Sequence, residues 1–214
     1  AKLVFNDGCA ISIDDDEADQ FLQSVFNDNK FRKNFGEELE AGYAIGGLVL
    51  RPYVDTKTNK IKISFCRADT FYPLQSNTND ISEAAIATIT QQTEGKKNVY
   101  YTLLEFHEWE NSTYYIRNEL YRSEEQSQTG VRVPLPTLDK YKELKEETAL
   151  VGFTRPLFVY IKLAGKNNID IDSPLSLGII DNAKRQLIDI NEKYDEFMNE
   201  VEEARRKILA SDRS

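Results

Sequence analysis

Between positions 180 and 208 the apolar residues Ile180, Ala183, Leu187, Ile190, Tyr194, Phe197, Val201, Ala204 and Ile208 return at alternating steps of three and four. That is a heptad seam held for about four repeats, a period a β-strand cannot use. Ser173 is placed to cap such a helix and Pro174 to occupy its first turn, where a missing N–H has no partner to lose. Lys184, Arg185 and Lys193 alternate with Asp189, Glu192 and Glu196 on the wet faces, and Arg205, Arg206 and Lys207 fall where cations suit the helix dipole. A helix over 174–209 spans about 50 Å at ~1.5 Å per residue. A compact chain of this length has a radius of gyration of only about 17 Å. The helix is therefore expected to protrude, with its seam turned to another chain or to a missing part of this one. The competing reading is a long helix lying across a sheet, which also uses a three-four stripe.

Residues 1–172 supply the body. With 40% hydrophobic and 29% charged residues the composition is that of a soluble globular protein, and no run approaches the roughly 18 apolar residues a membrane span needs. The sequence opens at Ala1 without a Met or a signal-peptide pattern and stops inside a charged helix, so a piece of something longer is expected. With 27 basic and 36 acidic residues the net charge is −9, which disfavours a general phosphate-gripping surface. Cys9 and Cys66 stand far apart in no CxxC pattern and read as buried or half-buried thiols of an intracellular protein, neither a zinc site nor a disulfide framework.

The expected elements follow from local pattern. Leu3-Val4-Phe5 and Ala10-Ile11-Ser12-Ile13 flank Asn6-Asp7-Gly8 as a small hairpin. The acids Asp14 to Asp19 suit the start of a helix better than calcium, because the Gly and distal Glu of an EF-hand loop are missing. Ala18, Phe21, Leu22 and Val25 form its apolar face, Asn27-Asp28-Asn29 ends it, and Phe31, Phe35 and Leu39 line a second helix that runs out at the small residues of 42–47. Strands over 48–54 and 61–65 form a hairpin in which Pro52 demands an edge or a bulge. The runs 83–91, 99–109 and 113–121, with short Gly- or Asn-bearing connections, predict an antiparallel meander as the main sheet. A loop with a short helix near Tyr141 to Leu144 should follow, then a strand at 157–161 buried on both faces. The fold class is α+β: an antiparallel meander sheet with N-terminal helices (1–172) and a long C-terminal amphipathic helix (173–214).

Chemistry is sparse. His107, the one histidine, cannot build a multi-His metal site, and on the strand face of Glu105 and Trp109 it reads as a surface or interfacial residue. A Cys–His nucleophile pair with Cys9 or Cys66 stays open. Gly165-Lys166 is followed by Asn167 and preceded at the P-loop spacing by Tyr160, and GxGxxG, GxSxG and HExxH are absent. The chain reads as non-enzymatic, with no catalytic residue, cofactor or metal.

Longer phrases are more specific. Tyr43-Ala44-Ile45-Gly46-Gly47-Leu48-Val49-Leu50-Arg51-Pro52-Tyr53, then Ile63-Ser64-Phe65-Cys66-Arg67-Ala68-Asp69-Thr70-Phe71-Tyr72-Pro73-Leu74, resemble the portal proteins of long-tailed phages of Gram-positive bacteria, often filed as minor capsid or minor structural proteins. So do Tyr101-Thr102-Leu103-Leu104-Glu105-Phe106-His107-Glu108-Trp109, Tyr115-Ile116-Arg117-Asn118-Glu119-Leu120-Tyr121, Thr154-Arg155-Pro156-Leu157-Phe158, Asn167-Asn168-Ile169-Asp170 and Ser173-Pro174-Leu175. The match runs in order over about 38–212. It implies the wing region of a subunit of a homo-oligomeric ring at the capsid vertex, assembled in the host cytoplasm. Terminase and head–tail connector proteins would dock on the ring, and DNA would pass through it without specific binding; no membrane is involved. The expected subunit-contact surfaces are the aromatic meander and the helix seam, with Leu187, Ile190, Tyr194, Phe197 and Val201 as the candidates.

Overall fold

The computed structural model describes residues 4–6, 8–77, 80–163 and 165–211, with 206–211 described by backbone only. It divides into two units, Ala1–Gly178 and Ile179–Ser214. The first opens with α1 (Asp16–Asp28), whose N-terminus is satisfied by Asp15: its carboxylate accepts the Ala18 N–H at 2.8 Å, and Asp16, Glu17 and Asp19 fill the first turn. The acid run is thus a helix start. Lys30, at φ 47°, swings the chain into α2 (Phe31–Ile45). Phe26, Phe31 and Phe35 stack in series at 4.2 and 5.2 Å, with Phe65 beyond them. No strand forms in the described part of 4–13, which instead turns through a Cys9 N–H to Asn6 carbonyl bond; Leu3 and Asp7 of the expected hairpin lie outside the described residues.

After Gly46 the chain enters β1 (Gly47–Asp55) and returns as β2 (Lys60–Arg67) in full antiparallel register from Leu48 opposite Arg67 to Asp55 opposite Lys60. The far edge of β2 is occupied by one side chain. The Asn29 amide donates to the Ile61 carbonyl at 2.9 Å and accepts the Ile63 N–H at 3.0 Å, as a neighbouring strand would. On the other side β1 pairs with β9 (Val159–Lys162), which reaches only Leu50, so Pro52 falls where β1 has no partner on that side. Here β9 differs from the doubly buried strand expected at 157–161. It is the edge of a three-stranded sheet; Phe158 is buried but Val159 is 56% exposed, because only one face of so short a ribbon meets the core.

The main sheet is the expected meander, extended at both ends. β4 (Asp80–Glu94), β5 (Lys97–Glu110) and β6 (Thr113–Ser123) form its centre. β3 (Phe71–Asn77) borders β4, with register irregularities beside Pro73 that suit an edge. The expected short helix near Tyr141 to Leu144 is a single 3-10 turn that ends at Tyr141. Two 3-10 turns, Leu135–Thr137 and Asp139–Tyr141, stand between β7 (Val131–Val133) and β8 (Glu147–Leu150), which share the outer edge of β6. Through these turns Leu135 and Leu138 pack onto Val99, Tyr101, Leu103 and Leu120. A second core cluster joins the two sheets: Val49 meets Phe71, Ala84, Ile86 and Phe158, with Tyr160 stacked on Phe71 at 5.6 Å.

The glycines at the end of α2 allow the return of residues 173–178. Gly46, at φ 92°, closes the helix, and a Cβ there would fall on the Ser176 carbonyl oxygen. The Ser176 hydroxyl donates to the Gly46 carbonyl and its N–H to the Tyr160 hydroxyl at 3.1 Å. This anchoring corrects the expected helix start. Ser173 accepts the Leu175 N–H in a local turn, Leu175 packs on the second core cluster and Ser176 is buried, so 173–178 is held off the helical path. In the second unit a 3-10 turn, Asp181–Ala183, precedes the long helix α3 (Lys184–Ser211).

Candidate functional site

Helical spacing places Leu187, Ile190, Tyr194, Phe197 and Val201 on one face of α3. They are 48, 64, 59, 59 and 40% exposed. Met198, 40% exposed, borders the same stripe, and the strict three-four count passed over it. Ile180 and Ala183 of the expected seam precede α3, and the side chains of Arg206, Lys207 and Ile208 are outside the described set. On the opposite faces charges meet water, for example Lys193 with Glu196 at 2.6 Å. Along the stripe face the five side chains present apolar and aromatic surface to solvent.

The aromatic meander looks different in three dimensions. Tyr101 and Tyr114 are core residues, while Tyr100, Phe106, Trp109, Tyr115 and Tyr121 are half-buried. The outer face of β5 and β6 is ionic: the Arg117 guanidinium donates to Glu108, Glu110 and Glu147 at 2.7–2.8 Å and lies over Tyr115.

The inner face holds a junction that sequence reading missed. Cross-strand alternation puts Glu105 and His107 of β5 on the side that faces β1, opposite Asn118 and Ile116 of β6. There the Arg51 guanidinium of β1 donates through Nε and Nη2 to both oxygens of Glu105, a bidentate pair. His107 bonds Glu105 through Nε2 at 2.8 Å and the Tyr114 hydroxyl through Nδ1 at 2.6 Å. The ionised Glu105 carboxylate can only accept, so His107 donates to it from Nε2; in the neutral ring Nδ1 then accepts the Tyr114 hydroxyl proton, while the Tyr114 oxygen accepts the Leu157 N–H at 2.9 Å. His107 is 1% exposed, which corrects its placement at the surface: the face was read correctly, but it is the buried one.

Burial alone would raise the Glu105 carboxyl, but the bonds from His107 and Arg51 and the charge of Arg51 outweigh it and hold the group below the usual carboxylate range. Burial likewise lowers Arg51, and its bonds to Glu105 more than restore it. A carboxyl depressed in the folded state contributes stability above its unfolded value, near 4.3, that is lost as pH falls through the folded value. The melting temperature is thus expected to hold near neutrality and fall below about pH 4. The stability gap between wild type and Glu105→Gln should close over the same window; thermal melts from pH 3 to 7, compared at about one-unit steps, check this.

The same contacts answer the open nucleophile reading. Both ring nitrogens of His107 are engaged, and burial pushes the Cys66 thiol up despite Ser64 and Arg51, so neither half of an activated pair is present there. Cys9 and Cys66 are both free and half-buried. No helix among the described residues is long and apolar enough to cross a membrane.

Comparison with curated proteins finds no match. The model of one family, phage portal protein, SPP1 Gp6-like, matches residues 1–212. That extent takes in both units: the two sheets, the ionic junction and α3. The family is structural, a component of the phage capsid acting in DNA packaging. The chain belongs to the SPP1 Gp6-like family of phage portal proteins.

Proposed function

We propose that this chain forms the outer, wing-like part of a portal subunit, with 173–214 leading towards a stem, and that copies close into a ring at the capsid vertex. DNA is packaged and ejected through the ring, and terminase and head–tail connector proteins dock on it. The observation that carries this reading is the apolar stripe of α3, exposed from Leu187 to Val201. Such a stripe is stable in water only when covered, and in a ring each subunit covers its neighbour. The net charge of −9 supports a channel component that lets DNA slide, since tight phosphate binding needs the opposite sign.

Electron microscopy of the full-length protein carrying this chain tests the reading. Rings with a central hole are expected, and replacing Tyr194, Phe197 and Val201 together by alanine should abolish them. Rings that persist in the triple variant with unchanged melting remove α3 from the contact. Monomers or dimers at every concentration and salt favour the second reading, a coiled-coil module for an unrelated partner, which the heptad stripe also supports.

A further inference from the structure

At the elbow between α1 and α2 lies a cleft of about 350 Å³. Phe26, Phe31 and Ile11 give it apolar walls, and Lys30, Arg32 and Lys33 give it a cationic rim. Arg32 is engaged within the chain, donating to the carbonyls of Asn6 and Cys9. Lys33 makes only a loose 3.9 Å contact with Glu37, in which both side chains are largely exposed.

The same chain carries the complementary chemistry, apolar side chains beside acids, elsewhere. In the loop 165–172, Ile169 and Ile171 are 72 and 69% exposed and alternate with the exposed Asp170 and Asp172. The loop is pre-set. The buried Asn167 side chain accepts the N–H groups of Ile169 and Asp170 at 3.0 and 2.8 Å, and the Asp170 carboxylate accepts the Asp172 N–H at 3.2 Å. Two isoleucines held out in water on a stiffened turn have little left to lose when they enter an apolar pocket.

They do not occupy their own: both stand exposed, and neither lines the cleft. Leu163, just before the loop, abuts Gly42, and Ser176, just after it, is bonded to Gly46, so both ends of the loop are fixed at the C-terminal end of α2. The cleft sits at the N-terminal end, about 16 Å away along the helix at ~1.5 Å per residue. Two unlike, complementary surfaces at opposite ends of one rigid element describe a head-to-tail contact.

We propose that the 169–172 loop of one copy seats in the α1–α2 cleft of the next, with Ile169 and Ile171 against Phe26 and Phe31, and with Asp170 and Asp172 facing Lys30 and Lys33. This rests on the ring reading above and assigns it a second contact, separate from α3.

The test uses the full-length protein, with ring yield read by electron microscopy and sedimentation. Asp170→Lys with Asp172→Lys reverses the loop; Lys30→Glu with Lys33→Glu reverses the rim. Each pair alone is expected to lose rings while keeping wild-type circular dichroism. Mixing the two assembly-defective proteins should restore rings, because alternating copies then meet opposite charge at every contact. A loop-reversed protein that assembles at wild-type yield, or a mixture that stays unassembled, overturns the proposal. Should either reversed protein fail to fold, Asp172→Cys with Lys33→Cys, in a chain whose free Cys9 and Cys66 are replaced by serine, takes its place: oxidation should give a ladder of cross-linked subunits, and a protein that stays uncross-linked overturns the proposal. Wild-type protein that forms no ring under any condition defeats the ring reading itself, whereas wild-type rings indifferent to both reversals defeat only this contact.

Discussion

Replacing Glu105 by alanine should cost about 3–5 kcal/mol, more than any surface ion pair in the chain. The carboxylate is almost wholly buried and both of its oxygens are bonded to Arg51, one of them also to His107. Removing it strands a guanidinium that is only 23% exposed and leaves the His107 Nε2–H without its acceptor. The penalty is the desolvation of charge and donor left behind, which is why it exceeds the net worth of the pair. For a chain of this size it corresponds to a fall in melting temperature of about 10 °C. Arg51→Met should be nearly as harmful, by stranding the carboxylate, while Arg51→Met with Glu105→Leu should recover much of the loss, because no charge is left buried. Urea unfolding of the three variants measures the coupling. If Glu105→Ala cost less than about 1 kcal/mol, the junction would be a solvated pair and this account of it wrong.

Gly46→Ala is the second large effect, expected at about 3 kcal/mol. Two penalties combine there. At φ 92° a side chain is strained wherever it points, and the added carbon meets the Ser176 carbonyl oxygen, which belongs to backbone and cannot rotate away. The strap of residues 173–178 must then move, taking the Tyr160 hydroxyl contact with it. Gly36→Ala is the control. It lies within α2 with nothing inside 4 Å of the added carbon, so it should be neutral or stabilise by up to about 1 kcal/mol. Both numbers come from denaturant melts of the same protein. Equal responses at the two glycines would remove the strap's packing as the cause.

These two positions mark where sequence reading succeeded and where it stopped. Gly46 was legible because a helix stop leaves a local signature, and the meander because period-two alternation between short turns is local too. The ionic junction was not. Alternation placed Glu105 and His107 on one face, but only the docking of β1 decides that this face is inside, and β1 is far away in sequence. Nothing in the local pattern distinguishes a buried charged strand face from a wet one. β3 was missed because Pro73 and the exposed Tyr72 and Leu74 look like loop, although an edge strand tolerates all three. The helix start was misplaced because Ser173 and Pro174 carry an N-terminal signature that tertiary anchoring of Ser176 overrides. Spacing alone put the five seam residues on one face of α3, and local pattern carries no sign of what that face meets.

Asn29 bears on how such a chain avoids pairing edge to edge. A free strand edge recruits further strands without limit, so an accumulating pool of subunits would drift into fibres. By setting its amide against Ile61 and Ile63, Asn29 gives β2 the hydrogen bonds of a neighbour while offering nothing for the next strand to continue. Growth through the backbone of that edge is stopped after one residue. At this edge any contact with another molecule is left to side chains rather than to backbone pairing.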